Sequence, residues 1–257
     1  MSDSRAADRR GRSSAVGVAL LICVTVLALG GLTAGIGSIV YSGATAADTE
    51  RIAEGLASAV SPAQTVGIEE HDLVLTEGVL YAEPRTVRIL NATDGIDEGE
   101  ATVEVVETVR GDALIYEADD RRIVVHAGAV LRSEGGSEAR MYREPQIATS
   151  GAETLAVGAT AIDANDVAIS TAPDARLRVQ TDASHERIEL GTGTFHVAVE
   201  TEHPEAWERH FERQGATVIT TSARFEGDDA DSVVAHFQGH REGLLIVHEV
   251  DLEVTRR

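Results

Sequence analysis

Thr102-Val103-Glu104-Val105-Val106-Glu107-Thr108-Val109 sets β-branched apolar side chains against polar ones at a period near two. That spacing fits a pleated strand with unlike faces. Arg176-Leu177-Arg178-Val179-Gln180-Thr181 and Thr194-Phe195-His196-Val197-Ala198-Val199-Glu200 repeat the pattern, and Gly243 to Val254 reads as a long closing strand. Asp119-Asp120 stands between two strand-like runs, Ala113–Ala118 and Arg121–Ala127, and reads as a hairpin turn. Gly191-Thr192-Gly193 reads as a second turn. Strand signals every 8 to 14 residues predict a mainly β domain, sandwich-like or a wrapped antiparallel sheet. One helix interrupts the series late in the chain. Pro204 suits a first helical position and Gly215 the residue past the end, while Trp207 and Phe211, four apart, share a face and point to the core.

The chain begins differently. Ser13 to Ala47 carries no charged residue, and Val16 to Tyr41 is apolar or small throughout. As a helix those residues would span roughly 39 Å at 1.5 Å each, enough for a hydrocarbon core of about 30 Å. Arg5, Arg9, Arg10 and Arg12 precede the run, opposed by Asp3 and Asp8; the first charges after it are Asp48 and Glu50. The positive-inside rule then keeps the N-terminus cytoplasmic and sends the rest outside. The expected fold is therefore a β domain preceded by a long N-terminal transmembrane α-helix. Its parts are a basic cytoplasmic leader (1–11), a hydrophobic helix continuing as an amphipathic stalk (12–62), and an acidic extracellular domain (63–257). Ile52, Leu56 and Val60 form the stalk's apolar stripe, which seeks either this chain's own domain or a sister helix; Pro62 ends it. Gly31 and Gly35 make a small-xxx-small pair that lets helices approach closely. A cleavable secretory signal is the competing reading, with Ala44-Thr45-Ala46 as its cleavage site, but the apolar run far exceeds the usual 7–15 residues. Cys23 is the one cysteine, so no intramolecular disulfide forms; Leu20-Leu21-Ile22 before it does not suit lipidation.

Charge narrows the function. The 257 residues include 43 acidic and 22 basic ones, a net charge of −21, and every basic one is arginine. The net +2 of residues 1–12 leaves −23 for the remainder. Such self-repulsion is tolerable in molar salt, where the Debye length shrinks to about 3 Å, and points to a salt-adapted cell. High genomic G+C content also replaces lysine by arginine, but does not explain the acidic excess. Nucleic acid is excluded as a partner, because its binding needs basic contacts to phosphate.

Catalytic motifs are missing from the sequence. His185-Glu186-Arg187-Ile188-Glu189 lacks the second histidine of a zinc-protease helix, and no nucleophile elbow, Walker loop or dinucleotide fingerprint is present. His236 and His240 are four apart but sit in strand-like surroundings, where that spacing does not serve one metal. No catalytic residue, metal ligand or cofactor is assigned, and no enzymatic activity is expected. Asn91-Ala92-Thr93 matches a glycosylation acceptor at the end of a strand, Thr86–Leu90.

Arg9-Arg10-Gly11-Arg12-Ser13-Ser14-Ala15-Val16-Gly17-Val18-Ala19-Leu20-Leu21 resembles the start of archaeal type IV pilin-like precursors, especially haloarchaeal ones. In that family a prepilin peptidase cuts after the glycine of a class III signal peptide. The resemblance implies cleavage between Gly11 and Arg12, with the hydrophobic segment kept as a filament core or membrane anchor. Gly128-Ala129-Val130-Leu131-Arg132 and Glu205-Ala206-Trp207-Glu208-Arg209-His210-Phe211 are similar to ectodomains of large haloarchaeal pilin-like proteins of unassigned function. The implied role is a membrane-anchored, pilin-like surface component, a minor pilin or an assembly or adhesion protein. Membrane lipid, sister subunits and the peptidase are its expected partners. The alternative is a single-pass anchored ectodomain that binds an envelope or extracellular partner without polymerising.

Overall fold

A computed structural model describes residues 48–60, 66–92, 103–150, 153–164 and 167–256. Of a first compact unit, Met1–Glu50, only 48–50 are described, and they are helical. The second unit, Arg51–Arg257, holds the rest. Helical residues 48–59 form α1. The strands are β1 (Gly67–Leu75), β2 (Gly78–Ala92), β3 (Val103–Ala118), β4 (Arg121–His126), β5 (Ala129–Glu134), β6 (Arg140–Arg143), β7 (Ile147–Ser150), β8 (Thr154–Asp163), β9 (Ala168–Thr171) and β10 (Ala175–Glu200). Helix α2 (Pro204–Arg213) follows, then β11 (Thr217–Ala223), β12 (Ser232–His236) and β13 (Arg241–Arg256).

The expected β architecture is present as one curled, largely antiparallel sheet with the path β6-β5-β4-β3-β2-β10-β13-β8-β7. Its axis is β10. Residues 177–193 pair with β13, and 175–183 also pair with β1 on the other side. From Thr194 onward the same strand takes β2 and β12 as neighbours. Gly191-Thr192-Gly193 is therefore no hairpin turn: it lies inside a 26-residue strand. A register irregularity against β13 falls just before them, between Glu189 and Gly191, and Gly191, at φ +73°, supplies a left-handed backbone that side chains resist. A local turn signal gives way because β13 offers a continuous ladder on both sides of the irregularity. Asp119-Asp120 does turn β3 into β4, pairing Ala118 with Arg121, and Asp119 has φ 52°. The one parallel pair among the described strands joins β8 to β13.

The sheet is buried on both faces where it is widest. Ala113 and Ile115 of β3 face one apolar cluster with Phe195, Trp207 and Phe211. Leu114 and Tyr116 face another with Leu80, Ile123, Leu177 and Leu252. Hence Leu114-Ile115-Tyr116 and Ile123-Val124-Val125 are unbroken apolar runs, while the alternating stretch at 103–106 lies outside both clusters with Val103, Val105 and Val106 exposed.

The predicted fold included a long transmembrane helix, and that part is corrected. No helix among the described residues is long and apolar enough to cross a membrane. The uncharged run 13–47, with Gly11, Arg12, Gly31 and Gly35, lies outside the described residues. The stretch expected to continue as an amphipathic stalk is helical over 48–59, as α1. Of the two neighbours the stripe could seek, it takes the chain's own β domain. Ile52, Leu56 and Val60 are buried in the cluster that contains Leu73, Leu75 and Tyr116. Full burial of a leucine contributes about 1.5–3 kcal/mol, so Leu56 alone fixes the helix firmly. Helix α2 starts at Pro204 as expected. It ends with Gly215 at φ +77°, the Ala216 amide bonded to the Phe211 carbonyl at 3.0 Å and the Gly215 amide to that of Glu212 at 3.0 Å.

One close crossing, of β3 with β8, borders a cleft. A Cβ on Gly111 of β3 would stand 2.8 Å from both Ala161 Cα and Ile162 N of β8, closer than backbone permits. Gly111→Ala should therefore lower stability by about 1–3 kcal/mol by forcing the two strands apart. Urea denaturation checks this, and a loss below about 0.5 kcal/mol would refute the crossing.

Candidate functional site

Beside the Gly111 crossing opens a cleft of about 600 Å³. Asp112 of β3, Asp163 of β8, Asp182 of β10, and Glu249 and Asp251 of β13 line it, against Arg110 as the cation among its described lining residues. The alternation of β13 explains the placement. Leu245 and Val247 face one apolar cluster, whereas Glu249 and Asp251, on the same side of the strand but past the cluster's edge, face the cleft. Asp112 Oδ2 accepts the Ala164 amide at 3.0 Å and Ser184 Oγ donates to Glu249 Oε2 at 3.1 Å, so two of the carboxylates are held in place. Ionised carboxylates only accept hydrogen bonds. The cleft accordingly suits an amine or guanidinium that enters it.

A second polar centre lies at the foot of α2. Arg85 of β2 reaches Glu83 at 2.6 Å and Glu202 at 3.1 Å, and Arg122 of β4 reaches Glu202 at 2.8 Å. Tyr81 donates its hydroxyl to Glu117 at 2.9 Å, and burial, then that bond, push its pKa up to about 12. This network joins β2, β3 and β4 to the turn that starts α2. Beneath it His126 is buried at 5% exposure, edge-on to Trp207 at 6.4 Å. Burial, helped by the Arg85 charge, holds His126 down at about 3. His210 on α2 is also buried and also lowered, by burial first, although Glu144 at 3.7 Å opposes the shift.

The structure places the residues singled out in the sequence as follows. Asn91 lies near the end of β2, opposite Phe195; its Oδ1 accepts the Thr194 amide at 3.0 Å and its side chain lies against Gly193. His185 and Glu186 sit on strand β10, not on a helix. His236 ends β12 and stacks on His196 of β10, with ring centroids 4.6 Å apart; His240 lies beyond the strand. No group of three or more His, Cys, Asp or Glu among the described residues is arranged to hold a metal. Sequence reasoning missed the acidic cleft, because acidic residues are spread along the whole chain and only the sheet's curl selects five of them.

A family of unknown function, DUF7289, matches residues 10–253, nearly the whole chain. The chain belongs to that family. No curated protein and no solved structure matches it. The DUF7289 match begins at Arg10 and takes in both the uncharged run and the β domain. In this DUF7289 member, then, the N-terminal run and the domain form one family unit.

Proposed function

We propose that the chain is a membrane-anchored, pilin-like surface protein of a salt-adapted cell, a minor pilin-like or assembly component with its acidic domain outside. The observation that carries this reading is the order along the chain: basic leader, uncharged residues 13–47, then at once α1, whose stripe is fastened into the β domain. Residues 13–47 are what remains to meet lipid or sister subunits. The acidic cleft offers the outward domain a place for a cationic group of a partner. A second reading, an anchored ectodomain that does not polymerise, draws support from the same helix. Ile52, Leu56 and Val60 are used within the chain and so are not offered to a sister helix.

The first measurement is the N-terminal peptide of membrane-extracted protein by mass spectrometry. A start at Arg12 is the expected result and supports pilin-like processing. An intact leader supports the second reading, and a start near Ala47 removes both. Leu29→Arg should abolish membrane retention, because arginine at the centre of an inserted segment costs about 2.5–3.5 kcal/mol. Unchanged fractionation of that variant would defeat the anchor.

A further inference from the structure

Nine histidines serve this chain, and two pairs of them meet across neighbouring strands on β10. The pairs differ in what they present. His196 and His236 stack nearly face to face, with an interplanar angle of 19°, so their ring nitrogens do not converge. His185 and His248 stand at 89°, with Nδ1 facing Nδ1 at 3.0 Å. They are directly opposed in the β10–β13 ladder, so the pairing fixes both backbones and leaves only the rings to adjust.

We infer that His185 and His248 form a two-histidine site for a divalent transition metal, filled best by copper(II). The distance suits adjacent positions on one metal ion. With metal–nitrogen bonds of about 2.0–2.1 Å, nitrogens 3.0 Å apart subtend roughly 91–97° at the ion. That is the angle between neighbouring positions of a tetragonal copper or nickel centre, whereas tetrahedral zinc needs nitrogens about 3.3 Å apart. With no third His, Cys, Asp or Glu grouped with the pair among the described residues, water completes the coordination and the metal is exchangeable.

Access suits this role. Opposite His185, the far edge of β10 is open among the described residues: β1 reaches only to Gly67 opposite Ala183, and β2 pairs from Ala92 opposite Thr194. His185 is consequently exposed, while His248 is 7% exposed and held rigidly. Arg187, two residues along, turns its guanidinium to Glu189 at 3.3 Å.

The test is a copper(II) titration of the full chain in detergent with 10 mM magnesium present to occupy surface carboxylates, read by electron paramagnetic resonance and calorimetry. One equivalent should bind with two equatorial nitrogens, and zinc should bind at least tenfold more weakly. His185→Ala, an exposed change that leaves the fold intact, should weaken copper at least tenfold, while His236→Ala should not. Unchanged affinity in His185→Ala, or a copper signal from oxygen ligands alone, would overturn the site and leave the pair as an imidazole–imidazole hydrogen bond.

Discussion

Asp228→Ala lowers the stability of the β domain by about 3–5 kcal/mol, the range for removing one partner of a buried ion pair. Arg88 of β2 donates from Nη1 and Nη2 to the two oxygens of Asp228, at 2.7 and 2.6 Å, across 140 residues of sequence. The side chains are 9% and 1% exposed, and the Phe225 ring covers the guanidinium at 4.5 Å. The same loop is held again by Glu200, whose Oε1 accepts the amides of Asp229 and Ala230, each at 2.9 Å. Alanine at 228 leaves the Arg88 charge buried with its fork unfilled. Because water and ions hardly enter, the loss should persist in 1 M salt, unlike any contribution from the exposed Arg187–Glu189 pair. Replacing both partners, Arg88→Met with Asp228→Leu, should restore most of the stability. Chemical denaturation at low and high salt measures this. A loss under 1 kcal/mol for Asp228→Ala would mean that the pair is not buried as described.

The second large effect is acid sensitivity centred on His126. Its folded pKa, about 3, lies below the ordinary imidazole value of 6.5, so protons favour the unfolded chain. The contribution is fully present above pH 6.5 and is lost as pH falls toward 3. At pH 4.5, two units below the unfolded pKa, the loss amounts to about 2.7 kcal/mol at 1.36 kcal/mol per unit. The charged groups around it do not relieve the penalty: Arg85 opposes protonation, and neither His126 nitrogen has a hydrogen-bond partner among the described residues. His210, lowered by the same cause, adds in the same direction. His126→Leu keeps the volume and removes the titration, so the stability lost between pH 7.5 and 4.5 should shrink by about 2.7 kcal/mol. Equal losses in the two proteins would assign the acid response to carboxylates instead.

Local signals were legible where the deciding physics is local. The Asp119-Asp120 turn, the proline start and glycine end of α2, and the inward Trp207 and Phe211 follow from backbone preference and helical spacing, and the structure has them. The stripe of α1 was equally readable, although not the surface it meets. Gly191-Thr192-Gly193 was misread because its glycines are equally at home in a turn and in a strand irregularity. Hydrogen bonds to β13, some fifty residues onward, select the second.

By itself the sequence determined the chain's composition of parts: an uncharged run after a basic leader, a mainly β domain, one helix at each end of the strand series, and an acidic surface without lysine. These depend on residue type and on spacing within a few positions. Only the tertiary structure decided that β10 is one strand serving two sets of partners. It also decided that five carboxylates share a cleft, that Arg88 meets Asp228, and that His185 meets His248. Each of these joins residues far apart in the chain. Their contact is fixed by ladder register and by the curl of the sheet, which no short window of sequence contains.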